Sequence, residues 1–212
     1  MHQADQTQHY DAVAATWGRR VVRLGYRAAY EGVMTKAVRG QSPRSVADIG
    51  TGTGELARAF CTRVGRPERL VLVDASALML AKAKANLSGL AGGVSAHCAR
   101  LEDLGPIPPV ELVLAGHVIE QTRDPVATLS LLSELVEPGG HLLAIISRPH
   151  WCQWPIWFLW RHKWFSSSKI AGMARSASLC PPLIFPLGPG PPGRTSLAYL
   201  FLKPHEKTEI KP

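Results

Sequence analysis

The chain has 212 residues, 46% of them hydrophobic, and a net charge of +8. That length suits one α/β domain with a sizeable core and scarcely allows two. No uninterrupted apolar run reaches about 18 residues, as a membrane span requires, and the polar stretch Met1–Tyr10 has no apolar signal segment, so spanning and exported proteins are set aside.

The four cysteines, Cys61, Cys98, Cys152 and Cys180, are scattered and form no C-x-x-C pair. Such spacing points to reduced thiols, a cytoplasmic protein and no zinc or other metal site. The charge is uneven. Residues 1–44 carry seven Lys and Arg against three Asp and Glu, residues 45–147 eight against eleven, and residues 148–212 nine against two. Basic flanks around an acidic middle suit an anionic partner or simply a solvated face.

In chain order, Asp11 to Gly40 is mostly helical in pattern, with Val13, Trp17, Val21, Leu24 and Ala28 at steps of three and four. Pro43 imposes an extended entry to a short buried strand, Val46–Ile49. Helix Glu55–Val64, strand Leu70–Val73, helix Ala77–Leu87 and strand Val94–Cys98 follow. Next come strand Glu111–Ala115, helix Pro125–Val136 and strand His141–Ser147. Asp124 caps the last helix and Pro125 takes its first position, while Pro138-Gly139-Gly140 is expected to end it and turn into the next strand. Serines 166–168 cap a helix to about Leu179. The extended stretches Leu183–Leu187 and Ser196–Leu202, split by the turn-rich residues 188–193, form an antiparallel pair, and Lys203–Pro212 is a polar, loose tail. Strands alternating with helices predict a parallel sheet with right-handed crossovers.

The chemistry concentrates after the first strand. Gly50-Thr51-Gly52-Thr53-Gly54 puts three glycines at alternate positions before a helix, so the backbone can turn sharply and a ligand can lie against it. Asp74, at the end of the second strand, stands 20 positions after Gly54, the spacing of a carboxylate that meets ribose hydroxyls. A dinucleotide turn, G-x-G-x-x-G, has its third glycine one place later. The version here, preceded by Asp48, resembles the first motif of the class I S-adenosylmethionine (AdoMet)-dependent methyltransferases. The stretch Glu111-Leu112-Val113-Leu114-Ala115-Gly116-His117-Val118-Ile119-Glu120, then Asp124-Pro125 and Glu137-Pro138-Gly139-Gly140, is similar to the fourth-strand segment and "PGG" turn of the small ubiquinone/menaquinone-type enzymes.

The resemblance covers about Tyr10 to Lys203 and is strongest over 45–147. It implies a Rossmann-like, doubly wound, mostly parallel seven-stranded sheet with an antiparallel last strand. As a single domain, the chain divides into a helical cap (1–44), an AdoMet-binding core (45–147), a Trp-rich substrate-side segment (148–165), a C-terminal helix and strand pair (166–203) and a tail (204–212). Asp48 is implied at the amino end of the methionine moiety, Gly50, Gly52 and Gly54 against ribose and methionine, and Asp74 on both ribose hydroxyls. Ala75 and Met79 match positions flanking adenine, although Met79 alone reads as core. Leu101 would read adenine through its backbone, and Thr51 and Gly116 complete the set. Two departures stand out: Arg100 or Leu101 occupies the place where related enzymes have an acid for the adenine amino group, and Gln121 stands where many have histidine.

Methyl transfer rests mainly on orientation and electrostatics, and a base matters only when the acceptor must lose a proton. His117 and His150, beyond the fourth and fifth strands, are the base candidates, and each also reads as an ordinary structural histidine. Five of the six tryptophans fall in 151–164, and Trp157, Trp160 and Trp164 would form one stripe of a helix that starts at Pro155. Trp151, Trp157 and Trp160 could line a pocket for an aromatic or apolar small-molecule acceptor. The same stripe could rest peripherally on a membrane, or pack on the sheet or on a second subunit of a homodimer. Nucleic acid ranks lower, as no dedicated RNA module is visible. Tyr10-Asp11-x-x-Ala14-x-x-Trp17 resembles the aromatic segment that folds over the cofactor in this family, and also reads as a plain amphipathic helix. The function implied is an AdoMet-dependent methyltransferase yielding S-adenosylhomocysteine (AdoHcy). The alternatives are an NAD(P)-dependent oxidoreductase, which the glycine spacing and Asp48 disfavour, and a non-catalytic AdoMet/AdoHcy-binding partner protein.

Overall fold

The computed structural model describes residues 22–148 and 164–205. Helix α1 (Tyr26–Ala37) leads into β1 (Ser45–Ile49), α2 (Glu55–Arg63), β2 (Arg69–Asp74), α3 (Ala77–Leu87) and β3 (Gly93–Cys98). A 3-10 turn at Leu101–Asp103 precedes β4 (Val110–Gly116), and another at Ile119–Gln121 precedes α4 (Pro125–Glu134) and β5 (Val136–Ser147). The chain closes with α5 (Ser167–Ser176), β6 (Leu183–Pro186), α6 (Pro191–Thr195) and β7 (Ser196–Leu202).

The seven strands form one sheet in the order β3-β2-β1-β4-β5-β7-β6. Strands β1 to β5 pair in parallel, and β7 runs antiparallel to both β5 and β6. The fold is thus the mostly parallel, seven-stranded α/β arrangement expected, with the last strand reversed. Its central strands are apolar at consecutive positions because helices cover both faces. Val46, Leu70, Leu72, Leu112 and Leu114 face Met34, Phe60 and Leu87 on one side. Ala47, Val71, Val113 and Ala144 face Leu129, Leu132 and Ile170 on the other. After β1 the chain runs outward through β2 and β3, then returns to place β4 on the other flank of β1. That reversal opens a crevice at the C-terminal ends of β1 and β4, where sheets of this kind bind ligands.

Several sequence expectations are corrected. Pro138-Gly139-Gly140 does not end a helix: α4 stops at Glu134, and the three residues lie inside β5 at a register shift against β4. Proline has no N–H to offer a ladder, and Gly139 takes φ +82°, so the segment bulges while staying extended. Helix α5 ends at Ser176 rather than Leu179. The turn-rich stretch before β7 holds the start of a short helix, Pro191–Thr195, with proline in its first turn. Lys203, assigned to the loose tail, is anchored through Nζ to the carbonyls of Ser133 (3.0 Å) and Val136 (2.8 Å). Within the described part of 11–40, α1 starts only after Gly25, whose φ of +88° interrupts the helical run. Among the described residues no helix is long and apolar enough to cross a membrane.

Candidate functional site

The turn leaving β1 is held from two sides. Thr51 N–H donates to the Val73 carbonyl (3.0 Å), and Gly52 N–H donates to Asp74 Oδ2 (2.8 Å). Asp74 Oδ1 accepts from Ser76 N–H (2.9 Å), while Ser76 Oγ caps α3 by accepting from Met79 N–H (3.2 Å). One carboxylate therefore joins the glycine turn to the start of the next helix. Asn86 Nδ2, from α3, donates to the Thr53 carbonyl (2.9 Å).

The three glycines serve three ends. All have positive φ: 65° at Gly50, 54° at Gly52 and 83° at Gly54. A Cβ at Gly52 would meet nothing within 4 Å, so the turn is open there. At Gly54 it would meet Leu87 Cδ1 at 3.0 Å and Ala83 at 3.3 Å, so this glycine lets α3 pack against the turn. At Gly50 it would lie 2.6 Å from Val118 Cγ2, which brings the loop after β4 directly against the turn.

Beneath the turn Asp48 is buried and accepts from Thr51 Oγ1 (2.7 Å). Burial raises its carboxyl to about 7, against the opposing pull of the Thr51 hydroxyl and the Ala57 amide. Glu55, in the first turn of α2, is also buried, and Arg27 of α1 grips it through two bonds of 2.8 Å, Nε to Oε2 and Nη2 to Oε1. That fork ties α1 to the helix that leaves the turn.

On the β4 side of the crevice, His117 takes a left-handed conformation (φ 59°) while its N–H donates to the Ile145 carbonyl (2.8 Å). Its Nδ1 lies 2.9 Å from Oε1 of Glu120, and the same oxygen accepts from Ser147 N–H (2.9 Å). Ser147 Oγ is 3.3 Å from Nδ1, and Gln121 Nε2 donates to the His117 carbonyl. Burial works to raise the Glu120 carboxyl, but the hydrogen bond and charge of His117, with the Ser147 amide, bring it below the ordinary value. Tyr26 lies edge-on to the imidazole, centroids 5.9 Å apart, and its hydroxyl is 3.2 Å from Thr195 Oγ1.

The structure thus brings Asp48, Gly50, Thr51, Gly52, Gly54 and Asp74 together around one turn, with Gly116 and His117 across from it. Ala75 is exposed beside Asp74 and Met79 is buried, while Leu101 packs partly buried against the core. Tyr10, Trp17, His150, Trp151, Trp157 and Trp160 lie outside the described residues. Sequence reading did not single out Glu120 as a buried partner of His117, nor Ser147, Tyr26 or Arg27. The three-residue step from His117 to Glu120 was a usable signal. The others are joined only by the fold.

Residues 46–140 match the family model described as a methyltransferase domain. The chain is 32% identical over 104 residues to the ubiquinone biosynthesis O-methyltransferase of Bradyrhizobium sp. (strain ORS 278), covering 49% of this chain and 40% of that one. It is 30% identical over 110 residues to the ubiquinone/menaquinone biosynthesis C-methyltransferase UbiE of Francisella tularensis subsp. novicida (strain U112), covering 50% and 44%. The chain therefore spans less than half the length of these curated relatives. In fold it is similar to the N-methyltransferase NodS of Bradyrhizobium japonicum WM9 in complex with AdoHcy, with a TM-score of 0.75 at 14% identity over 94% of this chain and 98% of that one.

Proposed function

We propose that the chain is an AdoMet-dependent methyltransferase acting on a small aromatic or apolar acceptor; the match of residues 46–140 to the methyltransferase-domain model and the strand order of the sheet support this reading. The observation that carries this is the bond from Gly52 N–H to Asp74, which fixes a ribose-type carboxylate beside a turn whose backbone is open. A sugar diol needs such an acceptor in a set position, and a glycine without neighbours leaves room for the rest of the nucleoside.

When bound, AdoMet supplies a methyl group made electrophilic by a sulfonium. The chain's part is to hold and orient. Asp74 accepts from the ribose hydroxyls, and Asp48 serves the amino end below the turn. Ala75 and Met79 flank adenine with the backbone at Leu101, and Thr51, Gly50, Gly54 and Gly116 shape the floor. Residues 45–147 form the cofactor core, and Tyr10, Trp17, Trp151, Trp157 and Trp160, which lie outside the described residues, are the sequence's candidates for the acceptor side. The names of the quinone-biosynthesis relatives support an aromatic acceptor. Scattered thiols support a cytoplasmic setting.

Calorimetry with AdoMet, AdoHcy, NAD and NADP tests the reading. AdoMet and AdoHcy are expected to bind and the dinucleotides not to. Binding of NAD or NADP alone would turn the assignment to an oxidoreductase, and AdoHcy binding without transfer to any of a broad acceptor panel would make the chain a non-catalytic partner protein.

A further inference from the structure

We propose that His117 is the proton acceptor in the transfer step and that Glu120, with Ser147, is its positioning residue, so that the acceptor atom arrives carrying a proton. This rests on the methyltransferase reading above.

The geometry sets the tautomer. Oε1 of Glu120 faces Nδ1 of His117 at 2.9 Å and is fixed there by Ser147 N–H. A carboxylate kept ionised in that place requires a hydrogen on Nδ1, which leaves the lone pair on Nε2. Nε2 is buried and has no hydrogen-bond partner among the described residues. A buried ring nitrogen without a partner calls for an explanation such as a catalytic role. The bracing of β4 against β5 is done by the backbone, through the His117 N–H to Ile145 and the Gln121 amide on the His117 carbonyl. A non-glycine residue in the left-handed region is strained, and such strain gathers at functional sites; His117 takes it at the C-terminal end of β4. The next residue, Val118, packs into the space that Gly50 leaves, so the loop that carries His117 lies against the turn assigned to AdoMet.

The step balances. A proton on the acceptor's oxygen or nitrogen passes to Nε2, the freed pair forms the bond to the methyl carbon, and the carbon–sulfur bond breaks with its pair left on sulfur. The imidazolium formed lies against the buried Glu120 carboxylate, which thereby gains a full counter-charge. Among the described residues, Glu120 from the loop and Tyr26 from α1 are the titratable groups seen to face the ring.

The test starts with the full-length protein and needs neither AdoMet nor an acceptor. Nitrogen-15 NMR of the imidazoles, with His117 assigned by its loss in His117→Asn, is expected to show hydrogen on Nδ1 and a bare Nε2 at neutral pH. Glu120→Gln, which puts a neutral amide in place of the carboxylate, should weaken the preference for hydrogen on Nδ1. A hydrogen on Nε2 in the wild type, or a tautomer balance unmoved by Glu120→Gln, would overturn the proposal. If AdoMet failed to bind the wild type, the methyltransferase reading would fall while the tautomer could still be read. In transfer to catechol, His117→Asn should lower the rate about 100-fold or more with AdoMet affinity held within twofold. Glu120→Gln should lower it less and shift the acid side of the pH profile. Equal rates, or a cofactor affinity that collapses with His117→Asn, would also overturn it.

Discussion

Gly52 and Asp74, 22 residues apart, are joined by a 2.8 Å hydrogen bond from the glycine amide to carboxylate Oδ2. The turn and the ribose-side acid are therefore joined directly. Asp74→Ala removes the acceptor for this amide and for that of Ser76. AdoMet affinity should fall about 100-fold, close to 3 kcal/mol. Both amides are only part-buried and can turn to water, so the loss of stability should stay near 1–2 kcal/mol. Titration calorimetry and a thermal melt read the two effects separately. Unaltered affinity would take Asp74 out of the site.

Gly52 and Gly54 separate binding from packing. Either one replaced by alanine bears the cost of a positive φ, roughly 1–2 kcal/mol. Only at Gly54 does the new methyl also run into Leu87 and Ala83. Gly54→Ala should thus melt lower than Gly52→Ala. Gly52→Val, whose branched side chain would fill the open face of the turn, should abolish AdoMet binding. Normal binding by Gly52→Val would mean that the nucleoside lies elsewhere.

Much of this arrangement is legible in the sequence because it is local. The bounds of α3 and β7 agree with their apolar patterns, with Ser76 capping the helix and Ser196 opening the strand. The glycine turn and Asp74 are read from spacing, and the structure joins them by a bond. What the pattern does not carry is pairing at a distance. Nothing in Ser196–Leu202 says that it inserts between β5 and β6, since both edges of β5 offer the same ladder. Pro138-Gly139-Gly140 misleads because the same residues suit a turn or a bulge, and only the partner strand decides. The Glu120–Ser147 bond spans 27 residues and exists only once β4 and β5 lie side by side.

Arg27 holds Glu55 by a two-pronged bond in which the carboxylate is 7% exposed and the guanidinium 36%. Removing the arginine leaves a buried carboxylate without its counter-ion at the start of α2. The helix N-terminus compensates in part, and the arginine is itself partly in water, so the cost should fall below the 3–5 kcal/mol typical of a broken buried pair, at roughly 2 kcal/mol. Urea unfolding of Arg27→Ala checks this. Arg27→Lys should recover only part of the loss, since one ammonium cannot make both bonds. Full recovery by lysine would mean that charge alone matters here.

Asp48 gives the fold a slope with pH. Burial lifts its carboxyl from 3.8 to about 7, so between about pH 4 and about pH 7 the folded chain holds a proton that the unfolded chain has lost. Stability from this group is therefore fully present below pH 4 and declines as pH rises toward 7. Over that window the decline is roughly 4 kcal/mol at most. Asp48→Asn keeps an oxygen for the Thr51 hydroxyl and has no charge to bury. Its stability should lack this decline and exceed that of the wild type at pH 8, as urea unfolding at pH 4.5, 6 and 8 would show. If the wild type instead gained from this carboxylate as pH rose, Asp48 would be ionised and paired in the fold. The same proton offers a check on the cofactor. A cationic amino end held by Asp48 requires the ionised form, so AdoMet binding at pH 6 should release a proton, seen as a heat that changes with the buffer. Asp48→Asn should bind without that dependence, and a buffer effect that persists in the variant would assign the proton to another group.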